Sequence, residues 1–111
     1  MTFRFIELQA FTEEVLRVAD EEILREFQME LAANPESGAL IQHSGGLRKA
    51  RFRLPGRGKS GGARVIYLWQ PNLRLFILFM LYTKSSRANI SAAQLSRLRS
   101  AVESIKTQYN R

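Results

Sequence analysis

The apolar positions of this chain change rhythm several times, and each rhythm predicts an element. Phe3, Phe5 and Glu7 alternate with Arg4, Ile6 and Leu8, the period of a short strand. Phe11, Val15 and Val18 then fall on one face of a helix. A second helix follows, with Asp20 as its cap and Ile23, Phe27 and Leu31 on one face. Glu21 and Glu22 occupy its first turn, where the helix dipole favours anions. Asn34-Pro35 ends it, because the residue before a proline disfavours the helical conformation. Residues 36–46 show little pattern beyond Gly38 and Gly45-Gly46 and read as a connection.

From Leu47 the period becomes two. Arg48, Ala50, Phe52 and Leu54 take one face of a strand, and Lys49, Arg51 and Arg53 the other. A second strand is predicted from about Arg64 to Gln70 and a third from about Arg74 to Tyr82, with the Pro71-Asn72 turn between them. The third is apolar on both faces, as a covered central strand would be. Ser91 and Gln94 form a capping box, and Ile90 is placed to staple onto Leu95. Leu95, Leu98, Val102, Ile105 and Tyr109 then continue the stripe of an amphipathic helix. The order predicts an α/β (α+β) sandwich in one domain, residues 1–111. Its sheet is mostly antiparallel with about four strands, flanked by two N-terminal helices and one C-terminal helix.

Charge changes this picture from a fold into a surface. Residues 1–36 carry nine acids against three bases, net −6, whereas residues 37–111 sum to +13. Between Glu36 and Glu103 there are twelve Lys and Arg and no Asp or Glu. Charge of one sign sorted along a chain becomes a patch on folding, and a positive patch attracts phosphate. Solubility alone accounts for a net +7, but not for a carboxylate-free two-thirds of the sequence. There is no cysteine, which excludes disulfides and thiolate metal sites and points to an intracellular, cytoplasmic protein. The start has no signal-peptide pattern, and the longest apolar run, Leu75 to Tyr82, is too short for a membrane helix.

The candidate chemistry is cationic. Arg48, Lys49, Arg51, Arg53, Arg57, Lys59 and Arg64 lie close in sequence and are joined by Lys84 and Arg87; neighbouring strands would gather them into a cradle for phosphate oxygens. Gly58-Lys59-Ser60 imitates part of a P-loop, but Arg53 stands where that motif requires glycine and a strand follows where it requires a helix. His43 is the single histidine, on a glycine-flanked loop, and reads as a solvated surface residue. No metal or other cofactor is expected. Trp69, Tyr67 and Phe52 read as core residues, whereas Tyr82, ending a strand two residues before Lys84, is a candidate RNA contact.

Gly45-Gly46-Leu47-Arg48-Lys49, Arg51-Phe52-Arg53-Leu54-Pro55-Gly56-Arg57-Gly58-Lys59, Gly62-Ala63-Arg64-Val65-Ile66-Tyr67 and Tyr82-Thr83-Lys84 together resemble the RelE/ParE toxin superfamily. The similarity is greatest to HigB-type toxins of type II toxin–antitoxin modules, and it covers essentially the whole chain. It implies a microbial-RNase-like fold and cleavage of messenger RNA in the ribosomal A site. It also implies inhibition by an antitoxin, expected to be of helix-turn-helix type with an acidic contacting segment. Arg64 matches the family's phosphate-stabilising arginine, Lys49 and Arg51 fall where strand-borne cations line the site, and Lys84 follows the central strand. RelE has a tyrosine near the start of its last helix; this chain has Ser91 there, and Tyr82 is the nearest substitute.

Attack by the RNA's own 2′-hydroxyl requires alignment, proton removal and neutralisation of charge on phosphate. Arg64 and Arg51 suit the last need. Crowded cations lower one another's pKa, which makes Lys84 or Lys59 the candidate base. Arg48, Lys49, Arg53, Arg57, Tyr82 and Arg87 are the expected RNA contacts. Two other readings fit the same patch: a gyrase inhibitor of the ParE kind, and a nucleic-acid-binding module without catalysis.

Overall fold

The computed structural model describes residues 2–55, 62–83 and 90–109. Strand β1 (Arg4–Glu7) leads into helices α1 (Gln9–Val18) and α2 (Glu21–Ala33). Strands β2 (Ala39–Leu40), β3 (Arg48–Phe52), β4 (Ala63–Gln70) and β5 (Leu75–Thr83) follow, and helix α3 (Ala92–Tyr109) closes the order. The strands form one sheet in the order β1-β5-β4-β3-β2. All neighbours are antiparallel except β1 and β5, which run parallel from Arg4 opposite Leu75 to Glu7 opposite Leu78. The sheet thus has five strands rather than about four. The extra strand, β2, is two residues long, too short for any period to show in the sequence.

Local chemistry explains the boundaries. The Asp20 carboxylate accepts the Ile23 amide at 2.9 Å, capping α2. Asn34 ends α2 before Pro35. The Ser91 hydroxyl accepts the Gln94 amide at 3.1 Å, which is the Ser91 half of the capping box. Pro71–Leu73 makes a 3₁₀ turn between β4 and β5, and Arg74 closes it at φ 50° in the left-handed region.

Two apolar layers share the sheet. Phe11 and Val15 of α1 and Phe27 and Leu31 of α2 pack with Phe52, Val65, Tyr67, Phe76 and Leu78 on one face. On the other, Val102 of α3 packs with Leu47, Ile66, Leu68, Leu75 and Ile77, and Leu98, Ile105 and Tyr109 are partly buried against them. Both β4 and β5 are therefore buried on two sides, the reason β5 shows no alternation.

One irregularity decides what lies on the α3 face. Ile66 pairs with Met80 while Tyr67 pairs with Leu78, so Phe79 is an extra residue in β5. Such a bulge shifts the strand by one, and every later side chain changes face. Phe76 and Leu78 belong to the α1–α2 layer, but Tyr82, an even position like them, belongs to the α3 layer.

Candidate nucleic-acid interface

Alternation along β3 sends Ala50 and Phe52 into the α1–α2 layer and Lys49 and Arg51 to the opposite face. Register then builds a row. Arg51 lies directly opposite Arg64, and Arg64 directly opposite Tyr82, so one line of side chains crosses β3, β4 and β5. The next line on that face is Lys49, Ile66 and Met80. Directly opposed residues in antiparallel strands hold their Cβ atoms about 4.5–5.5 Å apart, and like charges so placed repel. Neither Arg51 nor Arg64 has an ion pair among the described residues, where the pairs are Arg17 with Glu14 and Arg48 with Glu36. One Nη of Arg64 donates to the Ala63 carbonyl at 3.1 Å. Guanidinium groups so placed could share a phosphate, whose charge would offset the repulsion and whose oxygens would take their donors.

The other expected site residues divide. Lys49 is half-buried beside Arg51 in sequence and on its face. Arg53 lies past the end of β3, exposed, and lines a groove of about 440 Å³ along the open edge of that strand with Phe27, Glu30, Leu31, Ser37 and Gly38. Lys59, Arg57, Lys84 and Arg87 lie outside the described residues, as does the Gly58-Lys59-Ser60 sequence.

Two expectations change. Tyr82 stands in the row beside Arg64 but is only 3% exposed, packed in the α3 layer, so it supports the row rather than offering RNA an open stacking surface. Arg48 is not gathered with the other cations. It sits on the Ala50 and Phe52 side of β3, where its Nη1 donates to the carbonyls of Gly38 at 2.8 Å and Glu36 at 3.1 Å. Its Nη2 lies 3.5 Å from the Glu36 carboxylate. Its charge is spent within the protein.

Opposite Arg48, Tyr67 makes the complementary contacts. Its hydroxyl donates to the Pro35 carbonyl at 2.8 Å and accepts the Gly38 amide at 3.1 Å. Burial raises the pKa of this phenol above its ordinary 10.0, against the lowering effect of the Gly38 bond and the Arg48 charge. The sequence places Tyr67 in the core, but nothing in its period announces this partnership.

Helix α3 is tied to the loop preceding β3: Lys106 Nζ donates to the Gly45 carbonyl at 2.6 Å. Gly45 has φ 81°, and a Cβ there would lie 3.1 Å from Val102, so both backbone and packing call for glycine. Near the other end of α3, Gln94 Nε2 lies 3.9 Å from Met80 Sδ in the second line of the face. Among the described residues no group of three or more His, Cys, Asp or Glu is placed to hold a metal ion. No described helix is long and apolar enough to cross a membrane.

Comparison with known proteins adds an independent line. Residues 10–110 match the model of the family described as the RelE toxin of the RelE/RelB toxin–antitoxin system. Among solved structures, the isolated Escherichia coli RelE toxin superposes with TM-score 0.56 at 13% identity, over 90% of this chain and 99% of that one. The toxin of the intact E. coli RelBE complex gives 0.55 at 14% identity, over 72% and 94%. The archaeal RelE–RelB complex of Pyrococcus horikoshii gives 0.51 at 20% identity, over 78% and 100%.

Proposed function

We propose that this chain, which belongs to the RelE toxin family, is a ribosome-dependent messenger-RNA endonuclease. Membership rests on the family match over residues 10–110. It favours this reading over a gyrase inhibitor and makes the chain the toxin of a toxin–antitoxin module. The observation that carries the chemistry is the Arg51 and Arg64 pair, directly opposed on strands that carry no carboxylate. Scission by the RNA's 2′-hydroxyl builds negative charge on phosphate, and two fixed guanidinium groups stabilise that charge more than the ground state. Lys49 and Arg53 hold flanking phosphates, joined by Arg57 and Arg87, and Lys84 or Lys59 removes the proton. With no His or carboxylate on β3, β4 or β5, acid–base help from the strands is weak, and the ribosome supplies the alignment. The place of action is the cytoplasm. The partner is a cognate antitoxin, of helix-turn-helix type, whose acidic segment neutralises the same face.

The test is direct. Purified ribosomes programmed with messenger RNA are incubated with the folded protein, and cut ends are mapped by primer extension. Cuts at the A-site codon that vanish without ribosomes support the reading. Intact message alongside tight ribosome binding identifies a binding module instead, and inhibition of gyrase with intact message identifies the ParE activity.

A further inference from the structure

We infer that Arg48 and Tyr67 are positioning residues: they latch residues 35–38 so that β2 fixes β3 and Lys49 is held ready for an RNA phosphate. The role of Lys49 rests on the nuclease reading above; the latch itself does not.

The geometry points to this from four backbone groups. The Pro35 carbonyl, the Glu36 carbonyl and both the amide and carbonyl of Gly38 are taken by just two side chains, Tyr67 and Arg48. Those side chains are direct cross-strand partners on β4 and β3. Gly38 belongs to the latch by shape as well, since a Cβ there would stand 2.8 Å from the Tyr67 ring. The segment so held delivers Ala39 opposite Lys49 and Leu40 opposite Arg48, the whole of the β2–β3 ladder. Lys49 is thereby flanked by strands on both sides, whereas Ala50 to Phe52 are flanked only by β4. A cation fixed from both sides meets phosphate without first losing conformational freedom, which is what preorganisation requires. Tyr67 itself is 0% exposed and cannot touch RNA. Any effect of its hydroxyl on RNA must pass through another residue.

That isolation makes the test clean. Binding to messenger-programmed ribosomes is measured across a salt series for wild type, Tyr67→Phe, Lys49→Ala and the double variant, and likewise with Arg48→Met. Each latch variant should weaken binding by about tenfold at most, the order of one charge-assisted contact. In the Lys49→Ala background the same latch changes should cost nothing further and leave the salt slope unaltered. Equal losses in both backgrounds would overturn the coupling. A further flattening by about 0.7 on adding Arg48→Met to Lys49→Ala would show Arg48 on a phosphate instead. Amide hydrogen exchange reads the latch whether or not RNA is cut. Tyr67→Phe should speed exchange at Gly38, Ala39 and Ile41 while α1 amides keep their protection. Unchanged exchange at those three overturns the latch, and absence of cleavage by wild type overturns only the nuclease reading.

Discussion

Arg64 stands directly opposite Tyr82 only because Phe79 is inserted into β5. If Phe79 were paired instead of bulged out, β5 would keep its earlier register, Leu81 would stand opposite Arg64, and Tyr82 would face α1 and α2. The bulge sets an aromatic, buried floor beside the arginine proposed to stabilise the phosphate. It lies just past the stretch of β5 that pairs with β1, whose register stops at Leu78. A cation beside a well-packed ring keeps one conformation better than a cation on an open strand.

Arg64→Ala should therefore fold normally and lose about 10²–10³ in cleavage rate, the usual cost of one preorganised donor to a developing anion. Single-turnover cleavage on programmed ribosomes, with circular dichroism as the folding control, checks this. A folded variant that cuts at the wild-type rate removes the centre of the mechanism.

Ribosome binding should weaken steeply with salt. If about four to six cations of the site meet single-stranded phosphates, the log–log slope is roughly −3 to −4. Replacing both Lys49 and Arg51 by alanine should flatten it by about one to one and a half. Parallel lines for the two proteins would place the RNA on another surface.

Charge reversal on the acidic helices supplies the opposite control. Glu21 and Glu22 are exposed in the first turn of α2. Glu21→Lys with Glu22→Lys should leave cleavage unchanged while costing about 0.3–1 kcal/mol per residue through the helix dipole. Loss of activity at retained stability would move the working face to the acidic half.

Alkaline pH should strain the fold at Tyr67. Its pKa is raised in the folded state, so the protonated form is the one that folding favours. The contribution is complete below about pH 10 and declines as pH rises through the elevated value. Tyr67→Phe should be less stable at neutral pH by about 1–3 kcal/mol, since the Pro35 carbonyl and Gly38 amide lose their partner. The gap between the two proteins should narrow above about pH 10, as urea midpoints will show. A gap that stays constant or widens there contradicts the assignment.

An antitoxin that covers this face should do so through acidic residues. Association should slow markedly between low and high salt, because a surface of one charge sign steers its partner. Salt-independent association in stopped-flow mixing would point to an apolar docking site elsewhere.

Much of this was legible in the residues, and the gaps have physical causes. Caps at Asp20 and Ser91 and the exit at Asn34-Pro35 are local, so they could be read directly. Alternation also separated Arg48 from Lys49, Arg51 and Arg53. Counting charges then put Arg48 back among the RNA contacts, whereas its face assigned it to the Glu36 and Gly38 carbonyls. The bulge at Phe79 was invisible because it lies in a run of apolar residues, where a slip of one leaves the pattern unchanged. The exposure of Tyr82 depended on that slip.

The parallel pairing of β1 with β5 has a consequence for the order of events during synthesis. The first strand of the chain has no partner until Leu75 to Leu78 have been made. The line of Arg51, Arg64 and Tyr82 likewise needs three strands, the last ending at Thr83. Contacts between distant parts of a chain wait for the later part to exist. A ribosome translating this message thus carries a growing chain with no assembled cationic face until nearly three-quarters of it has been polymerised. The cationic row is thus a late product of synthesis, complete only once the strand that carries Tyr82 has been made.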